Sequence, residues 1–206
     1  MLRTTLLGVV LSGCFNSKTE PAPEPDVEAD ADTDADTDAD TDTDADTDIT
    51  PSCTVSVRAW LEGTDGTVTD YSAELVAGTS DSPASLTVNQ PGNFYLCPGT
   101  WYVSLSIMNG VSVIGVEGAD KTVLDGAGSG PMIFTYGETS ITGLTVTGGD
   151  GEKAGGIYAQ GPVTITDSVL TGNTGEFGAA LMVDDEATII DSTISDSTDS
   201  WGAVYV

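Results

Sequence analysis

The stretch SITGLTVTGG, from Ser140 to Gly149, returns as TITDSVLTGN from Thr164 to Asn173 and as TIIDSTISDS from Thr188 to Ser197. Each copy begins 24 residues after the last. At that interval Ile141, Ile165 and Ile189 coincide, as do Val146, Leu170 and Ile194. Gly155-Gly156-Ile157-Tyr158, Ala179-Ala180-Leu181-Met182 and Ala203-Val204-Tyr205-Val206 fall in one phase, and Phe177 and Trp201 are each followed by Gly-Ala. A fixed period between about 20 and 50 residues means a solenoid or an array of stacked units, because one such unit cannot bury its apolar face alone.

The repeats are rich in Val, Ile and Thr and alternate at period two, as in Thr164-Ile165-Thr166. That is the pattern of a strand with one face buried. Gly, Asn, Asp or Ser, which tolerate tight corners, break each short apolar run. No segment after Cys97 carries a helical apolar stripe. The expectation is an all-β chain in which each unit is one coil of a parallel β-helix with about three short strands. Coils stack at the interstrand spacing of roughly 4.8 Å, so that isoleucine lies over isoleucine in a dry interior.

The segments GNFYLCPGTWYVSLSI, VSVIGVEGADKTVLDG and SITGLTVTGG resemble right-handed, single-stranded parallel β-helix proteins of the pectin-lyase-like class. Pro98-Gly99-Thr100-Trp101-Tyr102 is similar to the PGTY stretch at the start of their first coil, and Gly115 and Asp125-Gly126 sit where that family turns. The stretch DSVLTGNTGEFGAAL is similar to the repeats of chlamydial polymorphic outer-membrane proteins. Gly155-Gly156-Ile157 and Gly178-Ala179-Ala180-Leu181 approximate their GGA[ILV] motif. Leu170-Thr171-Gly172-Asn173 approximates FxxN with Leu for Phe, and the third copy, Ile194 to Ser197, lacks the Asn. The resemblance covers Asn93 to Val206 and bears on fold more than on activity.

The N-terminal quarter has a different character. MLRTTLLGVVLSGC has one basic residue, a short apolar run and small residues before Cys14. Leu11-Ser12-Gly13-Cys14 resembles a bacterial lipobox, which implies cleavage after residue 13 and lipid on Cys14; the alternative is an ordinary secretory peptide. Phe15, where an aspartate would resemble the inner-membrane retention signal, implies the outer membrane. From residue 14 to 52 the chain is acidic and poor in apolar residues, with Asp at every second position from Asp30 to Asp48. Such a composition reads as a disordered tether with a reach of up to roughly 100 Å. It contains no glycine turn of the kind calcium loops use, so counterion condensation is favoured over specific Ca2+ binding. Export implies an oxidising compartment. With Cys14 lipidated, Cys53 and Cys97 are left to pair, a bridge worth roughly 4 kcal/mol; the alternative is two buried free thiols.

Residues 53–98 are expected to cap the first coil, held there by Cys53–Cys97. Thr54 to Leu61 reads as a strand, Gly63-Thr64-Asp65-Gly66 as a turn, and the part around Val68 to Val76 as a second strand or a short helix over Asp70 to Ala77. Residues 99–206 form the β-helix. The chain stops at Tyr205-Val206 as a coil begins, which reads as a truncated frame or as an edge that pairs with something else.

Of 33 acidic residues 14 lie between Glu20 and Asp48, against 5 basic residues and no histidine in the whole chain, a formal charge of −28. Phosphate binding needs clustered Lys and Arg, so nucleic acid is excluded as a partner. The resemblance to pectin-lyase-like enzymes implies aspartates with Ca2+ and a basic residue for a lyase, or aspartates near a histidine for a hydrolase. The coils hold only Lys121 and Lys153 as cations, and Lys121 lies in a turn. No catalytic set is assigned. Asp167 and Asp191 share a phase and are the candidates for a cation (Ca2+) or an acid–base pair, with Asp184-Asp185-Glu186 as added ligands. The competing reading places both at a solvated corner. Phe177 and Trp201 are candidates for a strip that stacks on sugar rings, against a place in the core. Three functions stay open: a non-catalytic envelope lipoprotein for adhesion or glycan contact, a polysaccharide lyase or hydrolase, and a spacer without ligand. In the first, the partners are the membrane through the lipid and a surface glycan or protein.

Overall fold

The computed structural model describes residues 52–108, 110–199 and 201–206. The signal segment, Cys14 and the tether as far as Pro51 lie outside the described residues. The rest is a parallel β-solenoid of about four turns, built from three long sheets. The first sheet stacks Gly92–Leu96, Val111–Gly115, Thr139–Thr142, Val163–Thr166 and Ala187–Ile190. The second stacks Gly99–Trp101, Thr122–Asp125, Thr145–Thr147, Val169–Thr171 and Thr193–Ser195. The third stacks Ala84–Val88, Val103–Ile107, Ile133–Thr135, Ile157–Ala159, Leu181–Val183 and Val204–Tyr205. A two-stranded ladder of Asp150–Gly151 and Thr174–Gly175 adds a fourth side to the later coils.

Alternation puts every second side chain inside, and the interior is a run of like residues. Ile141 pairs with Val113 on one side and Ile165 on the other, and Ile165 pairs with Ile189. Val146 pairs with Leu170 and Leu170 with Ile194. Ile141, Ile165, Val146 and Leu170 are fully buried, whereas Ile189, on the outermost strand of its sheet, is 41% exposed. The 24-residue interval therefore is the coil length over these turns.

The interval fails at two places. Phe94 pairs with Val113 and Val113 with Ile141, so one coil is shorter and the next longer than 24. The turns absorb the difference: Val116–Lys121 stands where the next coil has only Gly143-Leu144 and lengthens the second coil, while Gly126–Met132 is two residues shorter than the matching stretch 148–156, and the strands keep their places. At the far end Leu181 pairs with Val204 and Met182 with Tyr205, an offset of 23, not the common phase expected for Ala203 to Val206. Phe-Gly-Ala-Ala-Leu at 177–181 is matched by Trp-Gly-Ala-Val at 201–204, one alanine fewer. Keeping Leu181 over Val204 keeps the apolar face inside, because a one-residue slip would turn every side chain of the strand to the other face.

Parallel stacking begins at Ala84–Val88, so the first coil draws on residues that the sequence assigns to the cap. The cap proper is Ala59–Gly63, antiparallel to both Gly92–Leu96 and Val68–Asp70, followed by the helix Ser72–Val76. Strand and helix thus both occur within Val68 to Val76. Asp70 Oδ1 accepts the Ser72 N–H, and Ser72 Oγ accepts the N–H groups of Arg58 and Ala59. Leu61 and Leu75, each 1% exposed, close the end of the apolar interior. Cys53 is disulfide-bonded to Cys97 with Cα atoms 5.6 Å apart, pinning the start of the cap to the end of the first strand of the first sheet. Among the described residues no helix is long and apolar enough to cross a membrane.

Corners are held by side chains that repeat with the coils. Ser168 Oγ accepts the N–H of Leu144 one coil back and donates to Thr166 O; Ser192 Oγ does the same for Ser168 and Ile190. Asn173, with no exposed surface, accepts the Gly149 N–H at 3.0 Å and donates to Val146 O at 3.0 Å. In the next coil Ser197 takes that place and its Oγ accepts the Asn173 N–H. Gly156 needs its lack of a side chain, since a Cβ there would collide with the carbonyl oxygen of Ala180 in the coil above.

Candidate functional site: an aromatic face outside the coils

In the strand Ile157-Tyr158-Ala159, Ile157 and Ala159 point inward and Tyr158 points out. The ladder that contains it is outward-facing in every coil: Phe134 pairs with Tyr158, Tyr158 with Met182, and Met182 with Tyr205. A second column runs beside it. Lys153, Phe177 and Trp201 are spaced 24 apart, and the Phe177 N–H bonds to Lys153 O. Phe177 and Trp201 stack with centroids 6.0 Å apart and planes 22° apart.

The two columns touch at both ends. Lys153 Nζ donates to the Tyr158 hydroxyl at 2.8 Å and lies 4.6 Å from the centre of its ring. Phe177 meets Tyr205 edge-on at 6.4 Å. Phe134 sits edge-on to Tyr158 at 4.9 Å and to Tyr136 at 4.5 Å. Ala154, Tyr158 and Met182, with Phe134 and Phe177 against them, form an apolar cluster separate from the core. Six of the chain's 13 aromatic residues therefore share one outside face. Trp201 is 68% exposed, Tyr136 52% and Tyr205 44%.

Tyr158 is the polar centre of this face. Its hydroxyl accepts from Lys153 and donates to Asp184 Oδ2 at 2.8 Å. The bond to Tyr158, with a smaller contribution from the field of Asp184, raises the Lys153 ammonium above its ordinary range. It is therefore charged at every pH near neutrality. Beside it Gly130, Pro131, Phe134, Glu152, Ala154 and Lys153 line a shallow pocket of about 350 Å3 with Tyr158 at its back.

Of the candidates read from sequence, Phe177 and Trp201 are brought together on this face, outside the core; Phe177 is half-buried. Asp167 and Asp191 are both exposed and take φ of +48° and +46°; Gly143, one coil earlier, has φ of +68°. This is a left-handed corner, a conformation that Gly and Asp tolerate better than most residues. The backbone thus accounts for Gly, Asp and Asp at one phase. Asp184-Asp185-Glu186 precede the strand Ala187–Ile190 and Asp191 follows it. Four residues of strand put even the nearest of them, Glu186, roughly 16 Å from Asp191 along the chain. They do not supply further ligands to a cation at Asp191, and Asp184 bonds to Tyr158 instead. Among the described residues no three carboxylates or thiols converge as a metal site. Lys121 lies in the turn its sequence implies, with its N–H on Gly118 O.

The sequence reading passed over Phe134, Tyr136, Lys153, Tyr158 and Tyr205 as members of a site. A signal was present: Phe134, Tyr158 and Met182 are 24 apart, as are Lys153, Phe177 and Trp201. Both columns stand out only once the strand phase says which residues face outward. No family model, curated protein or solved structure matches the chain.

Proposed function

We propose that the chain is a cell-envelope lipoprotein, anchored by lipid on Cys14 and held off the outer membrane by the tether over residues 14–52. Its pectin-lyase-like β-helix makes non-catalytic contact with a surface glycan through the aromatic face. The observation that carries this reading is the double column of Phe134, Tyr158 and Met182 beside Lys153, Phe177 and Trp201 on the outside of the coils. Solenoids use extended outer surfaces of this kind for binding. Tyr158 and Met182 are buried within the cluster, whereas Tyr136, Trp201 and Tyr205 face water, gain little where they stand, and offer flat apolar surface to the C–H faces of a sugar. The coil spacing lets successive rings follow a linear chain laid along the axis. A carboxylate-rich protein of charge −28 repels anionic polymers, so the favoured partner is neutral.

The three tryptophans supply the assay. Trp60 and Trp101 are 2% and 3% exposed and Trp201 is 68% exposed. Acrylamide quenching of the full mature chain therefore reports on Trp201. Neutral oligosaccharides are expected to protect it, and Trp201→Ala and Phe177→Ala, read by calorimetry because the first removes the reporter, are each expected to weaken binding by about tenfold. If no neutral glycan protects Trp201, or if the double variant binds as well as the wild type, the contact role is wrong; a protein partner or a spacer then replaces it. The anchor is tested separately by mass spectrometry of the N-terminal peptide from membrane fractions. Lipid on Cys14, lost in Cys14→Ser, is the expected result.

A further inference from the structure

We infer that the pocket beside Lys153 is a subsite for an N-acetylated hexosamine, so that the glycan bound by the aromatic face is an N-acetylated, uncharged one. The inference rests on the glycan-binding reading and adds the chemistry of the ligand.

The pocket combines three kinds of surface. Phe134, Pro131 and Ala154 give it an apolar wall. Lys153 gives a fixed donor: its ammonium has three N–H groups, one of them spent on the Tyr158 hydroxyl, which leaves donors for a ligand. That bond and the position over the Tyr158 ring hold the flexible side chain in place. Glu152 on the rim gives an acceptor. An acetamido group needs these three together: a donor for its carbonyl, an acceptor for its N–H and an apolar contact for its methyl. A plain hydroxyl leaves the apolar wall unfilled.

Charge argues against the other ligands a lysine attracts. The Lys153 charge is already matched through Tyr158 to Asp184, and Glu152 stands beside it. A uronic acid, sulfate or phosphate group would meet net negative charge here as well as over the whole protein. A volume of about 350 Å3 falls at the low end of the range of roughly 300–1,000 Å3 usual for small-molecule sites. That suits one ring. Trp201, Phe177 and Tyr205 lie further along the same face for the neighbouring rings.

The test compares three soluble oligosaccharides of one β-1,4 backbone on the full mature chain, by calorimetry and Trp201 quenching. They are chito-oligosaccharide, its de-N-acetylated form, and cello-oligosaccharide, which has a hydroxyl in place of the acetamido group. Chito-oligosaccharide is expected to bind about tenfold more tightly than cello-oligosaccharide, the worth of one charge-assisted hydrogen bond. Lys153→Met, which keeps the apolar stem at an exposed position, should abolish that preference and leave cello-oligosaccharide affinity within about twofold. Lys153→Arg, which keeps a charged donor, should retain it. Equal binding of the chito and cello forms, both dependent on Trp201, sinks the subsite and leaves the glycan-binding face standing. So does tightest binding of the de-N-acetylated form, which would mean simple attraction of an amine to an acidic protein. A preference that survives in Lys153→Met also overturns it. Failure of all three sugars to bind removes both readings.

Discussion

Replacing Asn173 with alanine is the sharpest test of how the coils are held in phase. The side chain reaches back one coil, accepting the Gly149 N–H and donating to Val146 O, both at 3.0 Å, and none of it is exposed. Alanine leaves a buried donor without its acceptor and a carbonyl without that donor. Each such loss costs about 1–3 kcal/mol, so the pair should cost about 2–6 kcal/mol, a large part of the 5–15 kcal/mol typical of a domain. Asn173→Asp should be at least as harmful, because it restores the acceptor but buries a charge against the Val146 carbonyl. Urea unfolding followed by circular dichroism reads the effect as a fall in midpoint at unchanged slope. Hydrogen exchange adds the location: protection of the Gly149 amide should fall, while that of Phe94, two coils from Ile141, should fall only with global stability. A loss below about 0.5 kcal/mol, the range of an ordinary surface change, would refute the view that this asparagine locks adjacent coils.

Three further outcomes are expected. Cys53 and Cys97 are 44 residues apart, so the double serine variant should lose about 4 kcal/mol by chain entropy and melt roughly 10 °C lower; an unchanged melting temperature would mean the bridge restrains nothing. Thr135 is fully buried with no partner for its hydroxyl, and Thr135→Val, which removes the hydroxyl and keeps the shape, should stabilise the chain by about 1 kcal/mol; a destabilised variant would show that the hydroxyl is satisfied in solution. Hydrogen bonds from Thr67 and Ser72 lower the carboxyl pKa values of Asp65 and Asp70 below the ordinary 3.8. Their stabilisation is therefore present above about that pH and lost as pH falls through the lower folded values. Amide shifts of Thr67 and Ser72 should titrate below 3.8, and titration at or above 3.8 would contradict those bonds.

The solenoid was legible because its interior is a translation. Ile141, Ile165 and Ile189 occupy equivalent positions, and equivalence at a constant interval is visible without coordinates. Departures from the interval were not legible, because they occur where the physical constraint is weak. The stretch from Val116 to Lys121 is a turn, and a turn accepts extra residues without shifting the strands on either side of it. The missing alanine before Val204 was hidden by Phe177 and Trp201, which hold the 24-residue spacing three residues before the strands resume at 23. The carboxylates left two readings open, a cation site and a solvated corner. Asp167 and Asp191 share a phase because a left-handed corner recurs, and a recurring backbone conformation selects residue types much as a ligand does.

The same reasoning separates the inner columns from the outer ones. Inside, each residue is chosen by the one above it, and apolar identity follows from the need to exclude water. Outside, the default is set by other parts of this chain: the outward residues of the first sheet include Ser112, Ser140, Thr164 and Thr188, which pair in turn down the coils and keep that face polar. Solubility and stacking would be served equally well by Ser or Thr at the outward positions of the third sheet, where Ser106 in fact precedes Phe134. Part of the change from Ser106 to Phe134, Tyr158 and Met182 is explained by packing, because Tyr158 and Met182 are buried against Ala154, Phe134 and Phe177; the exposed rings of Tyr136, Trp201 and Tyr205 have no such reason. Exposed aromatic surface favours association and so carries a cost that a pure spacer avoids. The ligand proposed above would cover those exposed rings, and they, more than the fold, are what supports a ligand over a bare spacer.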